Sequence, residues 1–215
     1  METQITYSVT AESIIHRFDL EHYVRRLFVS EARNNPYHNI RHMLHVMLEC
    51  YEAAVYEEVP HLEIRPLLIA ALLHDLDHPG IRRSDSENIS DTILAIRKCT
   101  LKKDHRILEK VCNLVRYTEY PNRSDLPPNL LGNIIRDTDM TQAFIGHTAW
   151  VNEVLIGLSL EWDLPLTAKH IDQQIAFVKN LTWKTRWAQE KYGEEAKANK
   201  IAEYRSWKKI LFPGM

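Results

Sequence analysis

The sequence predicts an all-α fold, a single-domain helical bundle over residues 1–215, on three observations. Glycine is scarce, six in 215 residues, and the nine prolines fall mostly between periodic segments, so the turn chemistry of a strand-rich fold is missing. Apolar residues recur at helical spacing through most of the chain. No repeat, low-complexity tract or long linker separates a second unit, and the length suits one sizeable core.

The elements follow in order. Helical periodicity runs through "ESIIHRFDLEHYVRRLFVSEA", "NIRHMLHVMLECYEAAVYEE" and "LEIRPLLIAALLHDL", with Pro36, Pro60 and Pro79 at the expected breaks. Ser84 followed by Glu87 reads as a capping box opening "SENISDTILAIRK", and "DHRILEKVCNLVRYTEY" continues the pattern until Pro127 and Pro128 stop it. One helix is expected from about Leu131 toward Leu158, another from about Thr167 through "IDQQIAFVKNLTWKTRW", and a short terminal one around Tyr204 and Trp207. The mixed-charge run "KTRWAQEKYGEEAKANK" reads as a solvated helix face, and the five tryptophans as packing residues.

Composition excludes some classes. A formal net charge of -2 offers no bulk attraction to nucleic acid or anionic membrane, so neither is an expected partner. The start "METQITYSVTAES" has no basic stretch followed by an apolar one, and the longest apolar run, Leu67 to Leu73, is far shorter than the roughly 20 residues of a membrane span. A cytoplasmic location is expected. Cys50, Cys99 and Cys112 are odd in number, widely spaced and set among apolar neighbours, which suits reduced core thiols. Exposed aromatic helices are compatible with a homodimer and equally with a monomer.

Histidine is the unusual residue. Of eleven, six fall between His38 and His78. His38, His42 and His45 stand at i, i+4 and i+7, so on one continuous helix all three imidazoles look into the same cleft. His74 and Asp75 end a helix that is apolar on every side, where burying an imidazole beside a carboxylate is costly unless a cation neutralises the pair. Asp77 and His78 follow at the turn "HPG", and a distant acidic pair, Asp137 and Asp139, lies in "NIIRDTDMTQ". His16, His22, His61, His105, His147 and His170 carry no such grouping and read as structural; Arg82 and Arg83 read as solvated loop charges.

This constellation suits metal-assisted hydrolysis. Imidazole and carboxylate together match Zn, Mn, Fe or Ni, carboxylates and water match Mg, and one or two such divalent ions polarise a phosphoryl oxygen and generate a nucleophile at neutral pH. A histidine outside the coordination sphere is then available to protonate the leaving oxygen.

"HD" after an apolar helix, with an upstream histidine and a late aspartate, resembles the HD superfamily of metal-dependent phosphohydrolases; "YHNIRH" followed by "HDLDHPG" is similar to the signature pair of class I cyclic-nucleotide phosphodiesterases. The resemblance implies a general acid at His38, metal ligands at His42, His74, Asp75 and Asp139, with Asp137 as the alternative last ligand, and a bridging role for Asp75. It further implies that His78 belongs to the site without being a primary ligand. Gln174 and Phe177, in "QQIAFVKNLTW", have the Gln-x-x-Phe spacing by which that family clamps the base, with Tyr37 beside them at the substrate. Two departures stand out: His45 occupies a position where the family commonly has aspartate, and the segment from "HD" to the last aspartate is shorter. The implied substrate is a small-molecule phosphoester, a nucleotide and among nucleotides a 3',5'-cyclic one. The alternatives are a nucleoside monophosphate or other phosphomonoester, or a sensing module that binds metal and nucleotide without turnover.

Overall fold

A computed structural model describes residues 11–121, 126, 127, 129–146 and 149–214. Every regular element among them is helical, as the glycine-poor, periodic sequence predicts.

The first expected helix is two. Residues 11–17 form α1, and α2 (Glu21–Leu27) follows after a break at Asp19, whose φ of 53° lies in the left-handed region. The amide of Leu20 returns to the Ile15 carbonyl at 2.9 Å and that of Asp19 to the His16 carbonyl at 3.2 Å, the crossed pair that closes a helix C-terminus. Aspartate tolerates this conformation better than most residues, so the stop is made without the glycine that would have announced it.

α3 (Ile40–Tyr56) is capped by Asn39, whose side chain accepts from the amides of Arg41 and His42. It buries Met43, Val46, Met47, Cys50, Ala53 and Ala54, an apolar stripe at helical spacing. α4 (His61–Leu73) is the central element: α2, α3, α6 (Leu108–Val115) and α7 (Leu130–Asp139) all pack on it. That explains why Leu67 to Leu73 are apolar all round and at most 1% exposed. The chain leaves α4 through a tight turn with Asp77 at φ 62° and Gly80 at φ 67°. At Gly80 a Cβ would lie 2.5 Å from Asn35 Oδ1, so a larger residue there would have to displace the Asn35 side chain, which donates to the His78 carbonyl. α5 (Asp85–Cys99) opens with the expected capping box of Ser84 and Glu87.

The helix expected from Leu131 toward Leu158 is broken. α7 ends at Asp139, a 3₁₀ turn covers Met140–Phe144, the chain extends at Ile145, and a π-helical stretch Trp150–Ile156 runs into α8 (Gly157–Glu161). The hydroxyls of Thr138 and Thr141 donate back to the carbonyls of Ile135 and Thr138, competing with the helical ladder where it fails. The carbonyls released are taken from a distance: Lys200 Nζ reaches that of Ile145 at 2.7 Å and the Tyr204 hydroxyl that of Ala143.

α9 (Ala168–Asn180) starts at a Thr167 cap, and α10 (Arg186–Lys191) is capped by Thr185. The terminal helix is not short: α11 (Glu194–Leu211) has 18 residues. Nor is the mixed-charge run simply a solvated face, because Lys197 and Lys200 are buried, their ammonium groups bonded to the carbonyls of Leu181 and Ile145. Long stems let both lysines cross apolar surface to reach backbone acceptors. No helix among the described residues is long and apolar enough to cross a membrane.

Two apolar clusters result among the described residues. The larger gathers α2 to α7 with Trp187 and Ala188; the smaller gathers Ala143, Trp150, Val154, Leu155, Ile171, Val178 and Tyr204. Since α4 lies at the centre of the first, Leu68→Ala is expected to cost about 2–5 kcal/mol in urea denaturation, whereas Leu62→Ala on the same helix, at 86% exposure, should stay within about 0.5 kcal/mol.

Candidate metal centre and cleft

Four donor atoms converge where α3, α4 and α7 meet. His42 Nε2 lies 3.1 Å from His74 Nε2, 3.3 Å from Asp75 Oδ2 and 3.1 Å from Asp139 Oδ1; His74 Nε2 lies 3.1 Å from Asp75 Oδ2 and 3.3 Å from Asp139 Oδ1. Each residue is delivered by a helix terminus or its first turn: His42 in the opening turn of α3, His74 and Asp75 just past α4, Asp139 as the last residue of α7.

The proton positions decide what the cluster is for. His74 Nδ1 donates to the Ala71 carbonyl at 2.8 Å, and His42 Nδ1 donates to the side-chain carbonyl of Gln142. Both rings thus carry their proton outward and turn an Nε2 lone pair inward, toward two carboxylate oxygens. Asp75 Oδ2 is buried with no hydrogen-bond partner. A buried set of inward-facing acceptors requires positive charge. Burial opposes charge on the rings, yet the neighbouring Asp139 and Asp75 raise His42 to about 9 and hold His74 well above its ordinary value. Against the same burial, the imidazoles hold Asp75 well below the usual carboxylate range and lower Asp139 to about 2. His42, His74 and Asp75 offer donor atoms close enough together to share one ion, Asp139 Oδ1 lies beside both rings, and imidazole nitrogen with carboxylate oxygen suits Zn, Mn, Fe or Ni. The residues fit a divalent ion.

Asp137, two residues earlier, turns away. Its Oδ2 accepts from the amides of Lys184 and Thr185 and from the Thr185 hydroxyl, all within 2.9 Å, and so anchors the start of α10.

A second group lines the cleft beside the first. His38 Nδ1 donates to Glu161 Oε1, while Glu161 Oε2 accepts from the amides of Tyr37 and His38 at 3.0 and 3.1 Å. Burial pushes the Glu161 carboxyl up, but His38 and these amides outweigh it and hold the group ionised. His78 stacks on His38 with centroids 4.1 Å apart, and burial together with the neighbouring His38 lowers it to about 4, so it is neutral at physiological pH. Glu161 was not visible as a site residue in the sequence. Its one signal is a lone acid in the apolar stretch "VLIGLSLEW" of α8, the same signal that singled out Asp75. Gln142 was missed too, for want of any pattern beyond its place three residues after Asp139.

The cleft has a volume of about 1070 Å³ and is lined by His38, Asp75, Asp139, Tyr37, Gln174 and Phe177 among others. Gln174 and Phe177 share one face of α9, and Tyr120 meets the Phe177 ring at 6.1 Å. Tyr37 packs edge-on against His38 and tilted against His42.

Other expectations change. His38 precedes α3 instead of riding on it, and His45 does not face the cleft: its Nε2 meets Thr141 Oγ1 at 3.0 Å behind the donor cluster. Two of the three imidazoles, not three, look inward. Arg83 is paired, not simply solvated, with Asp91 at 2.8 Å and Asn88 beside it, while Arg82 stays exposed. His170 is buried against Ser159; His147 lies outside the described residues. All three cysteines are buried free thiols.

Comparison with known proteins adds independent findings. A model of the 3'5'-cyclic nucleotide phosphodiesterase family matches residues 37–152. The mouse high affinity cGMP-specific 3',5'-cyclic phosphodiesterase 9A is 39% identical over 69 residues, 30% of this chain and 13% of that protein. The 3',5'-cyclic-nucleotide phosphodiesterase regA of Dictyostelium discoideum is 27% identical over 140 residues, 58% of this chain and 17% of that protein. The chain spans less than a fifth of the length of these curated relatives. In structure it is similar to LmjPDEB1 solved in complex with IBMX, with a TM-score of 0.60 and 16% identity, covering 97% of this chain and 86% of that one, a likeness of fold.

The environment of His45 makes a pH prediction. Burial lowers it to about 4 from its ordinary 6.5, so between those values the unfolded chain binds more protons than the folded one. Its contribution to stability is complete above pH 6.5 and is lost as pH falls toward 4. In urea titrations of the metal-free protein, His45→Gln should show a shallower loss of stability than wild type across that window; parallel curves would mean that His45 titrates alike in both states.

Proposed function

The chain belongs to the 3',5'-cyclic nucleotide phosphodiesterase family, and from that premise we propose that it is a metal-dependent phosphohydrolase that opens the cyclic phosphodiester of a 3',5'-cyclic nucleotide. The observation that carries the reading is the buried, inward-facing donor set of His42, His74, Asp75 and Asp139 beside the His38–Glu161 pair in a cleft of nucleotide size.

In this reading the four donors hold a divalent ion, which when bound supplies Lewis acidity toward the phosphoryl oxygens and lowers the pKa of water. The protein does the rest. Glu161 accepts from Nδ1 of His38 and fixes the ring, leaving Nε2 as the proton donor toward the cleft. As water adds to phosphorus and the bond to the 3' oxygen breaks, that proton passes to the departing oxygen and leaves a 5'-monophosphate. His78, neutral and stacked on His38, keeps the acid from swinging out of line. Gln174 offers both a donor and an acceptor to the edge of a base, and Phe177, supported by Tyr120, offers a face for stacking.

Turnover of cyclic AMP, cyclic GMP, linear nucleotides and nitrophenyl esters by the purified chain with Mg²⁺, Mn²⁺, Ni²⁺ or Zn²⁺ tests the proposal, with Asp75→Ala expected to be inactive. His38→Ala should lose about 10²–10⁴-fold on a cyclic nucleotide, whose leaving oxygen needs a proton, and far less on a nitrophenyl diester, whose leaving group does not. Equal losses on both would remove His38 as the acid. Turnover confined to monoesters would point to a phosphomonoesterase, and bound metal without turnover to a sensing module.

A further inference from the structure

We propose that Gln142 and Glu153 are positioning residues that fix the proton of His42 and thereby set the metal affinity of the centre, an inference that rests on reading His42, His74, Asp75 and Asp139 as metal ligands.

The two imidazoles of the centre solve the same problem differently. His74 Nδ1 donates to a backbone carbonyl, that of Ala71, which is an acceptor and nothing else. His42 Nδ1 faces the amide of Gln142, which has two ends. With its oxygen toward the ring, the amide keeps the proton at Nδ1 and frees the Nε2 lone pair for a metal. With its NH₂ toward the ring, it would need the lone pair at Nδ1 and would drive the proton onto Nε2, where it blocks coordination. Gln142 is 2% exposed, so bulk water is not at hand to rescue the wrong orientation.

Glu153 removes the choice. Its Oε2 lies 3.3 Å from Gln142 Nε2, and a carboxylate only accepts, so the NH₂ end is held at Glu153 and the oxygen at His42. Glu153 comes from the π-helical stretch Trp150–Ile156, and its other oxygen lies 3.6 Å from Arg41 Nε, the residue before His42. Gln142 in turn sits on the 3₁₀ turn Met140–Phe144, three residues after Asp139. At three residues per turn both side chains leave the same side of the segment. Asp139 therefore meets Nε2 of the His42 ring while Gln142 meets Nδ1, and one short turn grips the imidazole by both edges.

The test is metal affinity by chelator competition with Zn²⁺ or Mn²⁺ on the full chain, with no turnover involved. Glu153→Gln, whose amide can face either way, should weaken binding by about 10–100-fold, the usual cost of losing an outer partner of a metal-bound histidine. Gln142→Glu presents an acceptor at both ends and should keep wild-type affinity or exceed it. In the Gln142→Glu background, Glu153→Gln should cost nothing, since the new amide can donate to the carboxylate at position 142. A merely structural role for Glu153 predicts the same loss in both backgrounds together with a lower melting temperature of the metal-free protein, and that result would overturn the proposal, as would unchanged affinity in Glu153→Gln. Asp75→Ala separates the two readings: if it leaves affinity intact, the centre itself is misassigned and the relay falls with it.

Discussion

Two imidazole nitrogens 3.1 Å apart, with two carboxylate oxygens each within 3.1–3.3 Å of both, are the constraint around which the rest of this fold is arranged. Left alone they repel, and burial increases the cost. The fold meets that cost with rigidity: α4 is enclosed on every side, so the turn that carries His74 and Asp75 starts from an immobile end. Three helices supply the set, each from a terminus, because helix ends are where a chain can change direction and place adjacent side chains on one point. The carboxylates hold His42 and His74 up and the imidazoles hold Asp75 and Asp139 down, so protons can take up that role, and a divalent ion bound there would displace them.

The His38–Glu161 pair, the proposed acid, obeys a related rule at lower density. Glu161 accepts three N–H bonds, one from the His38 ring and two from the backbone of Tyr37 and His38, so a buried carboxylate is fully satisfied and its charge is spent on one imidazole. His78 contributes by shape and neutrality.

Much of this was legible in residue order. The uniform apolarity of Leu67 to Leu73 announced a central helix, and the acid and imidazole at its end could not have been tolerated there without a cation. Ser84 is an ordinary cap read directly from its type and the glutamate three residues on. The failures share a cause: information that arrives from elsewhere in the chain. The break after Asp139 is stabilised by Lys200 and Tyr204, some sixty residues on, and no local pattern carries that. Asp19 ends a helix by adopting a conformation that its type permits but does not demand. His45 matched the helical spacing of the cleft histidines yet meets the Thr141 hydroxyl, which the 3₁₀ turn after α7 brings to it, and His38 falls off the pattern because α3 begins two residues after it. Asp137 and Asp139 differ only in which neighbour reaches them first, and Thr185 reaches Asp137.

The two apolar clusters have a further consequence. His42, His74, Asp75 and Asp139, the proposed metal donors, belong to helices of the larger cluster, whereas Glu153, Glu161, Gln174 and Phe177 come from segments built on the smaller one. The two carboxylates that govern the protons of His42 and His38 thus sit across a seam from the rings they govern. Docking of the two halves works as an assembly check on the proposed site: helices of the larger cluster alone bring His42, His74, Asp75 and Asp139 together, but His38 gains Glu161, and the cleft gains Gln174 and Phe177, only when the seam closes.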